Sequence, residues 1–151
     1  MSRCICPPME FDGHGPSLFL AGGITGCANW QDKVVSGLSD QVVTLLNPRR
    51  ADFPSGDPTA ARAQIAWEHR ALRQASAILL WFPSESLCPI ALYELGAWSM
   101  TSKPLFVGTH RGNARRTDVI IQTSLACPDV VVADDLDELI GQARAWLERH
   151  Q

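Results

Sequence analysis

The sequence predicts a single α/β domain: a parallel sheet with helices packed on both faces. Three observations carry that expectation. A chain of 151 residues fits one domain, and with 46% apolar residues it has enough for one real core. From residue 16 onward, strand and helix signals alternate, the mark of βαβ units. The longest strand-like run, Ala77 to Phe82, is apolar without alternation, as a sheet covered on both faces requires.

Residues 1–15, with Cys4, Cys6, Pro7, Pro8 and Gly13, read as a flexible N-terminal tail, and residues 16–151 as one domain. Ser17 to Ala21 is the first predicted strand, ended by Gly22-Gly23, and a helix from about Trp30 to Leu38 follows. Val42 to Leu46 is the second strand, stopped by Asn47-Pro48. A polar loop leads to Asp57-Pro58, an N-cap followed by proline at the first helical position, and that helix runs to about Gln74. Ala77 to Phe82 is the third strand, ended by Pro83, and Pro89 opens a helix to about Met100. Pro104 to Gly108 is the fourth strand, followed by a basic loop and a helix over Asp118 to Ala126. Val130 to Val132 is the fifth strand, and Asp134-Asp135 open the last helix, Leu136 to Arg149.

Five strands alternating with five helices predict a doubly wound, flavodoxin-like (Rossmann-like) sheet. Its order, in the sequence of these strands, is 2-1-3-4-5. Ligands of such sheets bind beyond the carboxyl ends of the strands, near the switch point. The loops after Ala21, Leu46, Phe82 and Gly108 therefore share one active rim.

Composition narrows the partners. A net charge of -3 gives no reason to expect a nucleic-acid polymer or an anionic membrane. The start of the chain has no basic segment followed by an apolar core, and no apolar run approaches the ~20 residues needed to span a bilayer. Cys4, Cys6, Cys27, Cys88 and Cys127 are odd in number and scattered, which reads as reduced thiols in the cytoplasm. Neither they nor His14, His69, His110 and His150 show ligand spacing, so no metal and no cofactor are expected.

The informative anomalies are two carboxylates. In the second helix Ala61, Ile65, Leu72 and Ala75 form the expected inward stripe, and Glu68 falls on it. In the third helix Glu94 is the only charged side chain between Glu85 and Lys103, and its neighbours are apolar on every face. Such a helix is expected to be buried on all sides, its outer face by a second subunit. A carboxylate in these surroundings finds donors or shifts its pKa. One reading pairs Glu94 with Arg49 or Arg70 for structure. The other has two carboxylates facing a shared cleft, with Gly96 letting a ligand approach the helix. Paired carboxylates suit chemistry at an anomeric carbon, in either the retaining or the inverting geometry.

Leu20-Ala21-Gly22-Gly23-Ile24 and Tyr93-Glu94-Leu95-Gly96 resemble signatures of the nucleoside 2-deoxyribosyltransferase superfamily, which includes nucleotide N-glycosidases. Asn47-Pro48-Arg49-Arg50, Trp81-Phe82-Pro83, Cys88-Pro89-Ile90 and Lys103 to Gly108 resemble its bacterial deoxyribosyltransferase-like branch. The resemblance spans about Leu18 to Leu125. It implies a flavodoxin-like fold, a homo-oligomer (dimer or higher) with sites near subunit contacts, and Glu94 as nucleophile on C1′ of a nucleoside. Glu68 matches the second carboxylate, commonly an aspartate. Gly22, Gly23, Ile24, Arg49, Cys88, Tyr93 and Gly96 are the expected substrate-binding residues. Cys88 stands where the family usually has a small polar or acidic residue, and Thr25 where the nucleotide-cleaving branch has an arginine. Both departures weaken recognition of a 5′-phosphate.

Gly22 to Gly26 lacks the G-x-G-x-x-G spacing of a dinucleotide site. Arg49 and Arg50 are either solvated or in contact with the ligand, and His110, Arg111, Arg115 and Arg116 could hold an anionic group or be solvated. Trp30, Trp67, Trp81 and Trp98 read mainly as core or interface, with Trp81 or Phe53 available to stack on a base. Cys88, ahead of a helix, is expected to have a lowered pKa. The resulting expectation is an enzyme of the N-glycosidic bond of a nucleoside or 2′-deoxynucleoside. The alternatives are a nucleoside 5′-monophosphate N-glycosidase and a non-catalytic nucleoside or nucleotide sensor.

Overall fold

The computed structural model describes residues 1–54 and 56–151. In chain order its elements are β1 (Arg3–Ile5), β2 (Ser17–Gly22), α1 (Trp30–Gly37), β3 (Thr44–Leu46) and α2 (Pro58–Gln74), then β4 (Ala77–Phe82), α3 (Pro89–Ser99), β5 (Leu105–Thr109), α4 (Arg116–Ala126) and α5 (Leu136–Arg149). The strands form one parallel sheet of order β1-β3-β2-β4-β5. The chain reverses direction across the sheet between β2 and β4, which is the switch point of the flavodoxin-like α/β fold.

Alternation along the strands sorts the core into two layers. Phe19, Ala21, Leu46, Ile78, Leu80, Phe82 and Val107 pack under α2, α3 and α4. Leu18, Leu20, Leu45, Leu79 and Trp81 pack under α1 and α5. Both faces are covered by helices, which explains why these strands read as continuous apolar runs. The helices begin where short polar side chains cap them: Asp57 accepts from the Thr59 amide at 2.9 Å, and Asp135 from the Glu138 amide at 2.8 Å. At the other end of α2, Lys103 Nζ donates to the carbonyls of Leu72, Arg73 and Ala75 at 2.7–2.9 Å, satisfying oxygens the helix leaves bare.

Two expectations are corrected at the sheet edges. The first fifteen residues are not a loose tail. Arg3–Ile5 pairs in register with Thr44–Leu46, and Arg3 is tied to Thr44 Oγ1 at 2.7 Å and Asp12 at 2.9 Å. Ile5 and Phe11 enter the core, Trp67 Nε1 donates to the Met9 carbonyl, and Arg70 pairs with Glu10. Three residues with one buried side chain carry no periodicity, so nothing local announces this strand. At the opposite edge Val130–Val132 is not a strand. Only Ala133 bridges to Gly108, and Val131 is exposed. The edge offers a partner for one residue here, and three β-branched residues do not make a strand without a ladder.

The inward stripe of α2 is also corrected. Ala61 and Ile65 are exposed, and the buried side runs through Gln64, Trp67, Glu68, Ala71, Leu72 and Ala75. Trp67, its ring tilted at 41° against Phe19, claims the core in place of Ile65. Among the described residues, no helix is long and apolar enough to cross a membrane.

Candidate active site

The cleft begins with two glycines at the end of β2. A Cβ on Gly22 would lie 2.4 Å from the Trp81 carbonyl oxygen and 2.5 Å from the Trp30 ring. One on Gly23 would lie 2.5 Å from Cys27 Sγ and 3.0 Å from Cys88 Sγ. Only glycine lets the backbone settle this deeply between β4, α1 and the start of α3, and Trp30 Nε1 holds it there by donating to the Gly23 carbonyl at 2.8 Å. The depression above is a cleft of about 290 Å³.

Four more segments complete its walls. Asn47 accepts from the Arg49 amide at 3.0 Å, an Asx turn that presents Pro48. The loop after β4 brings Ser86 and Cys88, stapled by buried Asn113, whose Nδ2 donates to the carbonyls of Pro83 and Ser86 at 2.7 and 3.0 Å. The first turns of α3 supply Ile90 and Glu94, and α2 supplies Glu68. A second, apolar cleft of about 420 Å³ lies between α2 and α3, lined by Ile65, Leu72, Tyr93 and Trp98. Glu68, Ile90 and Glu94 line both clefts, so the carboxylates stand at their junction.

The electrostatics of the pair follow from its walls. Glu94 is 8% exposed, and among the described residues no salt bridge or hydrogen bond reaches its carboxylate. Burial, reinforced by the like charge of Glu68, pushes its pKa up to about 8. Burial also raises Glu68, opposed by a hydrogen bond from Gln64 and by the nearby His69. Neither guanidinium considered for a structural pairing with Glu94 is there. Arg49 donates to the carbonyls of Cys27 and Ala28 and to Gln31, and Arg70 is held by Glu10.

Of the residues singled out in the sequence, Gly22, Gly23, Ile24, Glu68, Cys88 and Glu94 meet at the first cleft. Tyr93 lines the second. Arg49 lines neither, because its guanidinium is spent on the entry to α1. Gly96 also lies elsewhere: two residues beyond Glu94 is more than half a turn of helix, and it faces a groove toward α4. The thiol of Cys88 is not activated. It is wedged against Cys27 and Gly23, and burial raises it to about 11, outweighing the helix N-terminus. Cys88 also holds a left-handed backbone at φ 52°, its amide donating to Ser86 Oγ at 3.0 Å.

The basic loop does not converge on the cleft. Arg111 and Arg116 pair with Asp134, and Arg115 with Asp118. Trp81 is buried beneath the sheet, and Phe53 lines neither cleft. Phe19, Ala21, Pro48, Ser86 and the supporting Gln64 and Asn113 were missed by sequence reasoning. Of these, Ala21 and Pro48 fall inside the family-like segments of the sequence, and Gln64 precedes Glu68 by four residues and so shares its helix face.

A family model described as nucleoside 2-deoxyribosyltransferase like matches residues 15–112, roughly two thirds of the chain. The protein belongs to the nucleoside 2-deoxyribosyltransferase-like family. No curated protein matches the chain. The span of this nucleoside 2-deoxyribosyltransferase-like match runs from just before β2 to just beyond β5, taking in every lining residue of the first cleft and omitting β1, α4 and α5.

Proposed function

We propose that this nucleoside 2-deoxyribosyltransferase-like protein cleaves or exchanges the N-glycosidic bond of a nucleoside or 2′-deoxynucleoside, with Glu94 as nucleophile and Glu68 as its proton-exchanging partner. The observation that supports this reading is the carboxylate pair, with no salt-bridge partner among the described residues, placed where a small glycine-floored cleft meets a larger apolar one. A sugar fits the glycine-floored side and a base the side of Tyr93 and Trp98.

The chemistry balances without a cofactor. With its pKa pushed up to about 8, Glu94 holds a proton at neutral pH. Passing that proton by way of Glu68 to the base nitrogen frees the nucleophile and activates the leaving group together. A Glu94 oxygen then bonds to C1′ as the C1′–N bond breaks, and the base leaves with the bonding electrons and the proton. A second base in transfer, or a water in hydrolysis, then attacks C1′ as the C1′–O bond to Glu94 breaks, and the proton it sheds returns by way of Glu68 to Glu94.

The 5′-monophosphate reading is less supported, since among the described residues the first cleft is lined by no lysine or arginine. Ile90, Tyr93 and Met100 leave an apolar strip exposed on α3, as do Ile121 and Leu125 on α4. These suit a homodimer whose contact borders the second cleft.

The test is chromatographic. The protein is incubated with nucleosides and monophosphates, with and without an acceptor base, and free and exchanged bases are followed. Base release or exchange by the wild type, lost in Glu94→Gln, is expected. Equal activity in Glu94→Gln overturns the mechanism, and binding without turnover in both proteins marks a sensor. Light scattering behind a sizing column checks the dimer.

A further inference from the structure

Gln64 lies one helical turn before Glu68, and its side-chain amide is committed in one direction. Nε2 donates to the Pro48 carbonyl at 2.9 Å and to Glu68 Oε1 at 3.2 Å. A backbone carbonyl only accepts, so the amide cannot be turned over without setting oxygen against oxygen. The consequence is a buried Gln64 Oε1 with no partner among the described residues. A bare buried acceptor is costly and calls for a compensating reason. The two groups that the amide joins supply it, since Pro48 and Glu68 both line the first cleft.

We propose that Gln64 is a positioning residue: braced on the Pro48 carbonyl, its amide pins one oxygen of Glu68 at the junction of the two clefts and leaves the other oxygen to exchange a proton with the ligand. The role in turnover rests on the glycosidic-bond reading; the placement of Glu68 does not.

The groups around Glu68 are few. Glu94 faces it from α3, His69 adjoins it on α2, Arg73 lines the outer cleft, and the neutral thiol of Cys88 lines the inner one. Arg49, from the loop after β3, is turned toward α1. The Gln64 amide therefore supplies the side-chain hydrogen bond that favours charged Glu68, and a charged Glu68 keeps the proton on Glu94. Removing the amide raises the titration of Glu68 and leaves that of Glu94 in place, because Glu94 titrates last, against a Glu68 already charged. Loss of a merely structural contact has no reason to move Glu68 alone.

Carboxyl-carbon NMR of the intact protein reads both titrations directly. In Gln64→Met, which keeps the bulk and removes the orphaned oxygen, Glu68 is expected to rise by about half a unit to one unit while Glu94 stays in place. Gln64→Asn keeps an amide too short to span both partners, and serves if the first variant misfolds. In the base-release assay kcat is expected to drop about 10- to 100-fold with KM nearly unchanged. Unmoved titrations, or a common shift of both, overturn the proposal. A wild type that titrates as described yet releases no base defeats the glycosidic-bond reading and leaves the placement standing.

Discussion

Glu68 and Glu94 come from successive helices, α2 and α3, yet their carboxyls share the lining of two adjoining clefts, and the charge of Glu68 raises the energy of charging Glu94. That relationship connects the fold to its chemistry. The chain crosses the sheet between the strands that precede these helices, so their facing sides meet over the switch point. Among the described residues neither carboxylate has a salt-bridge partner, and the folded protein bears the cost.

The stability cost has a definite sign. Folded Glu94 titrates near 8 against an ordinary value of 4.5, so between these pH values the native state binds more protons than the unfolded one. The contribution of Glu94 to stability is therefore greatest below pH 4.5 and falls as pH rises to about 8. Glu94→Gln removes that slope. Thermal melts across this range are expected to show the variant gaining several degrees over the wild type toward pH 8, with little difference near pH 5.

Turnover should follow the same titration. Because the pair reacts carrying one proton, kcat/KM in the wild type is expected to hold up to about pH 8 and to fall as pH rises further. Glu68→Gln deletes the neighbouring charge, so the limb moves to lower pH while the plateau rate falls about 100-fold through loss of proton exchange. A pH–rate profile of both proteins checks this, and the variant's melt should stay within a few degrees of wild type.

The glycine floor predicts two different costs. In Gly22→Ala the new methyl meets the Trp81 carbonyl oxygen, part of central strand β4, which cannot yield without breaking the sheet. Denaturant melts should show a loss of about 2–4 kcal/mol, beyond ordinary overpacking. In Gly23→Ala the methyl meets Cys27 Sγ, so Gly23→Ala combined with Cys27→Ala should recover much of the loss.

The N-terminal strand predicts that the start of the chain matters for stability. Phe11→Ala should cost about 3 kcal/mol and Ile5→Ala about 2 kcal/mol, because both side chains lie in the core beside β3 and α2. A detached tail would tolerate either change without a measurable shift in the melt.

The two edges of the sheet show where sequence reading ends. Every helix was legible within a residue or two, because caps such as Asp57 and Asp135 and prolines such as Pro58 and Pro89 act within one turn. The central strands were legible because long apolar runs have few other destinations. Arg3–Ile5 and Val130–Val132 were not, since a short edge segment becomes a strand only if a neighbour offers its ladder. Thr44–Leu46 offers one to the first, and β5 spares a single bridge for the second.

The site divides the same way. Sequence alone determined that Glu94 would be short of polar company and that Gly22-Gly23 would end a strand at the rim, because both are facts of local composition. Tertiary structure decided the rest. It turned Arg49 toward α1 and Gly96 toward α4, buried the Cys88 thiol instead of activating it, and set Gln64 between Pro48 and Glu68. The reason is physical: local sequence sets which groups lack partners, and only the packing of distant segments sets which partners come within reach.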